Sequence, residues 1–360
     1  MREDVEKVLP EEIIEKMNLA KTILESDENL GSRSLIDNLF AMTSIKADSD
    51  TEATRIDKIQ MRLSVIDSFY STNMGRRLYG LKELAEKISE LGDDEKLREK
   101  LNLYINQGDS DISGVFTKKY GIFKHGIPSA DNLAIESNVE NDDEGFKAIS
   151  LISKYFYFVS NHNFPIYDSL VRNNIKKVLN HFHIKNHFTG KLIEEEFIRE
   201  LVRVCDKDKF AEFDNLLWLY GKIQRGSLSF LADKKIYINI MELLRKRFLD
   251  NLSKYADENG IDLEVIPKED SLKAEFTESL KNAAKSFKLT LDKDKKIFKN
   301  DGEITKEKLV ETIFKNATSD NLDNFVASQL KDDEIIEQLK KKQFISDDLY
   351  TFLKFCREVK

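Results

Sequence analysis

Lys154 and Asp168 are the residues of this chain whose surroundings most plainly suit chemistry. Lys154 is flanked by Leu151 and Ile152 on one side and by Tyr155, Phe156, Tyr157, Phe158 and Val159 on the other. A helix apolar nearly all round is a buried helix. An ammonium held there loses hydration, which favours the neutral amine and hence a nucleophile near neutral pH. Asp168 follows Phe164-Pro165-Ile166-Tyr167 and precedes Leu170, Val171, Ile175, Val178 and Leu179, which recur at helical spacing. That pattern puts the carboxylate at a helix N-terminus, where free amides and the dipole favour its ionised form. Both residues also have plainer uses. Lys154 could run its stem along apolar surface to water, or bridge to Asp168 for structure alone, and Asp168 could be a cap and nothing more.

Around the pair lies a positive island. From Lys154 to Lys191 the bases are Lys154, Arg172, Lys176, Lys177, Lys185 and Lys191, against the single acid Asp168, in a chain of formal charge −8. An acidic protein with one basic face draws a polyanion to that face only. Arg76 and Arg77, just after Gly75, are further candidates for phosphate contacts, with solvated surface charge as the plainer reading. His162, His181, His183 and His187 fall in the same part of the chain. His183 and His187 are four apart, the spacing of a metal pair on one helical face. Lys185 stands between them, and the stretch offers no carboxylate or cysteine except Asp168, so we expect no metal.

Ser153-Lys154-Tyr155-Phe156-Tyr157-Phe158, a short turn, and then Phe164-Pro165-Ile166-Tyr167-Asp168-Ser169-Leu170-Val171-Arg172 resembles the catalytic segment of the helix-hairpin-helix DNA glycosylase superfamily. The likeness is closest to its 8-oxoguanine DNA glycosylase-like branch. Phe213–Lys222 (FDNLLWLYGK) is similar to the end of such domains, and Arg62–Met74 (RLSVIDSFYSTNM) resembles an early helix of the same branch. The resemblance covers about half the chain. It implies a DNA glycosylase with strand-cleaving lyase activity on an oxidised or otherwise altered base, with Lys154 as the Schiff-base lysine and Asp168 as the catalytic carboxylate. Its partner would be duplex DNA carrying the altered base, with no cofactor. On this reading Arg172, Lys176, Lys177, Arg76 and Arg77 meet DNA, and Tyr157, Tyr167 and Asn73 line the base pocket. The superfamily's hairpin before the lysine is Gly-rich so that amides can approach a phosphate; here the positions are Ser150, Leu151, Ile152 and Ser153. Those residues favour the alternative, a non-catalytic helical module on the same scaffold that binds nucleic acid or protein.

The elements that must hold these residues read as helices throughout. Gly (14) and Pro (4) are scarce and charged residues make up 34% of the 360, the composition of a helical protein with solvated faces. We expect an all-α fold: an N-terminal helical arm over 1–30, a glycosylase-like helical domain over 31–226, and a mostly helical domain over 227–360 that could meet a protein partner. Helical spacing marks 11–26, 33–46, 53–70, 78–91, 95–107, 194–204, 209–223, 236–256, 306–316, 319–330, 332–341 and 346–357, with shorter or weaker signals at 128–138 and 272–290. Residues 107–113 read as a turn-rich connector, 298–305 as a turn around Asp301-Gly302, and Trp218 as a core anchor. The two cysteines, Cys205 and Cys356, form no pairing framework, and no apolar run approaches the ~20 residues of a membrane span. The expected setting is therefore the cytoplasm, with no membrane partner.

Overall fold

The computed structural model describes residues 9–25, 30–70, 80–120, 147–189, 192–228, 231, 234–258, 260, 263, 278, 281–282, 284–285, 306–317 and 319–359. The fold is all-α: among the described residues there are fifteen α-helices and no strand. They are α1 (Glu11–Glu25), α2 (Leu30–Met42), α3 (Glu52–Tyr70), α4 (Gly80–Ser89), α5 (Asp94–Gln107), α6 (Ser110–Thr117), α7 (Ile149–Val159), α8 (Ser169–His181), α9 (Glu194–Val204), α10 (Phe210–Gln224), α11 (Lys234–Glu258), α12 (Lys306–Asn316), α13 (Ser319–Gln329), α14 (Asp333–Lys341) and α15 (Asp347–Glu358). No described helix is long and apolar enough to cross a membrane. The chain divides into two compact units, Met1–Lys21 with Glu28–Trp218, and Thr22–Asp27 with Leu219–Lys360.

In the first unit α7 is the central element, packed against α2, α3, α5 and α6. Its residues from Leu151 to Val159 are all buried, as a helix without a polar face must be. Phe156 meets Phe116 of α6 and Phe164 edge to face, with ring centroids 5.5 and 5.4 Å apart. On the other side Tyr155 meets Phe40 of α2 at 5.3 Å.

Arg62 of α3 is a charged group with no solvent exposure. Its guanidinium donates to both oxygens of Asp94 at 2.8 and 2.9 Å, to Thr43 Oγ1 at 2.9 Å, to the carbonyls of Phe40 and Thr43 at 3.0 and 2.9 Å, and to Tyr155 Oη at 3.3 Å. Asp94 Oδ2 in turn accepts from the Ile45 amide at 3.0 Å. The five-donor fork of arginine is fully used, which is the condition for burying such a charge. Burial alone would lower the guanidinium's pKa, but Asp94 and Tyr155 hold it above its ordinary value. The Tyr155 hydroxyl is itself pushed up to about 12, chiefly by burial.

Helix ends explain two departures from the sequence reading. The connector expected over 107–113 is where α6 begins: Asp109 Oδ1 accepts from the amides of Asp111 and Ile112 at 2.9 and 3.0 Å and so caps a new helix. His183 does not lie on a helix. It sits at φ +57° just past α8, with His183 N donating to Asn180 O at 3.0 Å and Ile184 N to Leu179 O at 2.9 Å, the paired bonds that close a helix through a left-handed residue. The same closure ends α7, where Asn161 at φ +52° donates to Phe158 O and His162 to Tyr157 O. Trp218, read as a core anchor, is half-buried in α10 between buried Leu217 and Leu219. The segments 128–138 and 298–305 lie outside the described residues, as does most of 272–290.

In the second unit Gly226 carries a requirement that can be tested. It has φ +70°, and a Cβ placed there would lie 1.8 Å from the carbonyl oxygen of Asp323 and 2.6 Å from the amide nitrogen of Ala327, both in α13. Backbone cannot yield to a methyl group, so Gly226→Ala is expected to destabilise this unit by on the order of 3 kcal/mol, combining left-handed strain with overpacking. Urea unfolding of the full chain checks the figure.

Candidate functional site

Lys154 and Asp168 meet. Lys154 Nζ donates to Asp168 Oδ2 at 3.0 Å and to Ser150 Oγ at 2.8 Å, and lies 5.3 Å from the centre of the Tyr70 ring at the end of α3. The two charged side chains are 4% and 16% exposed, so the pair is nearly dry. Local structure brings them together. Lys154 sits one turn after Ser150 on α7, and Asp168 is the N-cap of α8, its Oδ1 accepting from the Val171 amide at 3.0 Å. Between the helices, Ser153 Oγ accepts from the Tyr167 amide at 3.0 Å, which ties the residue before Asp168 to the turn of α7 that carries Lys154. Burial by itself would raise the Asp168 carboxyl. The Lys154 charge and the amides of Val171 and Leu170 outweigh it and hold the group below its ordinary value of 3.8.

Ser150 and Ser153 thus position the pair, a role the sequence reading did not assign to them. The i to i+4 spacing of Ser150 and Lys154 was the available signal, since residues four apart share a helical face. Their hydroxyls occupy positions where a glycine would leave the backbone open, and both are turned to internal contacts.

The remaining candidates divide by exposure. Arg172, Lys176 and Lys177 lie on the solvent side of α8, and among the described residues none has a carboxylate partner. Asp168, Arg172 and Lys176 follow at intervals of four, which aligns the buried acid with two exposed bases along one stripe of the helix. Arg172 rests 5.5 Å from the centre of the Tyr167 ring. Tyr167 is 5% exposed, donates to Leu192 O at 3.1 Å and meets Phe197 edge to face at 4.8 Å. Tyr157 is buried and stacked on His162 with centroids 4.4 Å apart, while His162 Nε2 reaches Asp37 Oδ1 at 2.8 Å. Asn73, Arg76 and Arg77 lie outside the described residues.

The histidine pair considered for a metal is separated. His183 closes α8, whereas the His187 amide donates to Glu200 Oε1 at 2.5 Å, beside Arg203, which grips both Glu200 oxygens. Among the described residues no group of three or more His, Cys, Asp or Glu side chains could hold a metal ion. What the site offers is therefore an amine, a carboxylate held ionised beside it, and an exposed row of bases on the same helix. Comparison of the chain with protein families, with curated proteins and with solved structures finds no match.

Proposed function

We propose that the first unit is a DNA glycosylase-like enzyme that excises an altered base through Lys154 and Asp168. The observation that carries this reading is the 3.0 Å contact between an amine on one helix and the carboxylate that caps the next. In the reaction the target nucleotide is turned out of the duplex. As the altered nucleotide arrives, Lys154 Nζ gives a proton to the departing base, and Asp168 stays an ionised carboxylate. The freed amine forms a bond to the sugar C1′ while the C1′–N glycosidic bond breaks, its electron pair leaving with the base, which is protonated. The C1′–O4′ bond then opens, O4′ taking its pair and a proton from the alkylated Lys154 nitrogen, which leaves a protonated imine on Lys154. Water takes a C2′ proton as the C3′–O3′ bond breaks, and the 3′ phosphate leaves with that bond's electron pair, which cuts the strand. In the first step the Asp168 carboxylate also faces the positive charge that develops on the sugar ring. Arg172, Lys176 and Lys177 supply the cationic face for the backbone.

Borohydride tests it, because reduction of the imine leaves the protein bonded to DNA. The expected result is a covalent adduct with duplexes carrying 8-oxoguanine or an abasic site, absent in Lys154→Ala. An adduct that persists in that variant, or no adduct with either duplex, overturns the proposal.

A second reading has an observation of its own. Lys154 is 3% exposed and bound to both Asp168 and Ser150, which is how a structural clip between two helices is built. On that reading the scaffold binds nucleic acid or protein without turnover. Salt-dependent DNA affinity with no adduct is its signature.

A further inference from the structure

Beyond the far end of α7 from Lys154 lies a cleft of about 260 Å³ that the catalytic reading does not use. Its walls include Arg98 and Lys207, the side chains of Asn161 and Asn163, and a floor of Leu101 and Ile105. Ser160, where it touches α7, is six residues past Lys154, roughly 9 Å along the helix axis and on a different face. Neither Lys154 nor Asp168 contributes to it.

The chemistry of this lining is lopsided. It holds two cations and no carboxylate. Arg98 Nε donates to Val159 O at 2.7 Å, which covers a carbonyl at the negative end of α7 and leaves the two Nη groups without a partner among the described residues. Lys207 Nζ touches Asn102 Oδ1 at 3.1 Å and has two donors to spare. Asn163 uses its amide nitrogen on Ser160 O at 3.0 Å, which leaves its oxygen available. Asn161, fixed at φ +52° by the closure of α7, presents a side-chain amide with no partner among the described residues. Leu101 and Ile105 are four apart on α5, so they line the cleft from one apolar face of that helix.

We infer that this cleft binds one nucleotide: its phosphate between Arg98 and Lys207, its base edge at the amides of Asn161 and Asn163, and its ring over Leu101 and Ile105. A planar fork and a point charge suit a phosphate. Asparagine amides suit the mixed donor and acceptor edge of a base. At about 260 Å³ the cleft sits just under the roughly 300–1,000 Å³ of pockets for drug-sized ligands, so its walls can take no more than one nucleotide. Such a nucleotide can be free or can belong to a strand.

The test uses the full chain and titration calorimetry with AMP, GMP and a twelve-nucleotide single strand. Asn161→Asp keeps size and tolerates the left-handed backbone while adding a negative charge. Lys207→Glu reverses one cation without touching the end of α7. Each is expected to weaken binding at least tenfold, and adenosine, lacking the phosphate, is expected to bind at least tenfold more weakly than AMP. Saturable AMP or GMP binding with these losses assigns a free nucleotide; binding of the strand alone with the same losses assigns a strand. The inference is overturned if no probe binds, or if binding is indifferent to both substitutions. Neither variant touches Lys154 or Asp168, so borohydride trapping reports on the catalytic proposal separately.

Discussion

Arg62→Ala is expected to lower the unfolding free energy of the first unit by about 5 kcal/mol. Removing one partner of a buried pair costs about 3–5 kcal/mol, because the remaining charge is left uncompensated. Here that charge is Asp94, 7% exposed and left with the Ile45 amide among the contacts described. The carbonyls of Phe40 and Thr43 also lose their donor, each a cost of about 1–3 kcal/mol where water does not replace it. For a unit of this size the loss corresponds to a fall in Tm of roughly 10–20 °C. Arg62→Lys recovers little, since a single ammonium cannot reproduce a bidentate grip and three further contacts. The double variant Arg62→Leu with Asp94→Leu recovers much of the loss, because an apolar pair leaves no buried charge. A single Arg62→Ala variant that melts within a degree or two of the parent would show that the network contributes nothing net.

The second large effect is at the site. Lys154→Ala is expected to lose the borohydride adduct completely and also to destabilise the fold by about 3 kcal/mol at pH 7, the lower end of the range for a broken buried pair. The lower end applies because Asp168 keeps its amide from Val171. The pH dependence separates this cause from a simple cavity. Asp168 has a native pKa held below the ordinary 3.8, so the stability it contributes is complete above that value and is lost as the pH falls through the lowered one. Once the carboxyl is protonated the parent has lost the ion pair too. The stability gap between parent and Lys154→Ala is therefore widest near neutral pH and narrows toward pH 2. A gap that stays constant over that range would assign the loss to missing packing. Chemical competence of Lys154→Ala has to be read at a temperature where circular dichroism shows it folded.

Much of the helical map was legible because this chain is locally consistent. Along α9, Phe197, Ile198, Leu201 and Val204 recur with the helical period, and the buried apolar residues are those. The connector over 107–113 misled because Asp109 and Ser110 carry turn chemistry, and the same residue types cap a helix as readily as they make a loop. His183 misled for a related reason: spacing reports a shared face only while the helix continues, and the closure after His181 ends it.

The buried network of Arg62 had no signal of that kind. Its partners Thr43 and Asp94 are 19 and 32 residues away and Tyr155 is 93 away, so nothing periodic links them. The roles of Ser150 and Ser153 were within reach of spacing and went unassigned, since a serine beside a lysine is ordinary until the burial of both is known.

Sequence alone determined most of the helices other than α6, that α7 is wrapped in apolar neighbours, and that Asp168 caps α8, because each of these depends on residues within a turn or two. Tertiary structure alone decided that the Lys154 amine rests on Asp168 rather than snorkelling to water, that Arg62 is fully enclosed, and that Arg98 and Lys207 share one cleft. Those facts depend on how helices distant in the chain are packed. Burial and pairing belong to the three-dimensional neighbourhood, which no local pattern encodes.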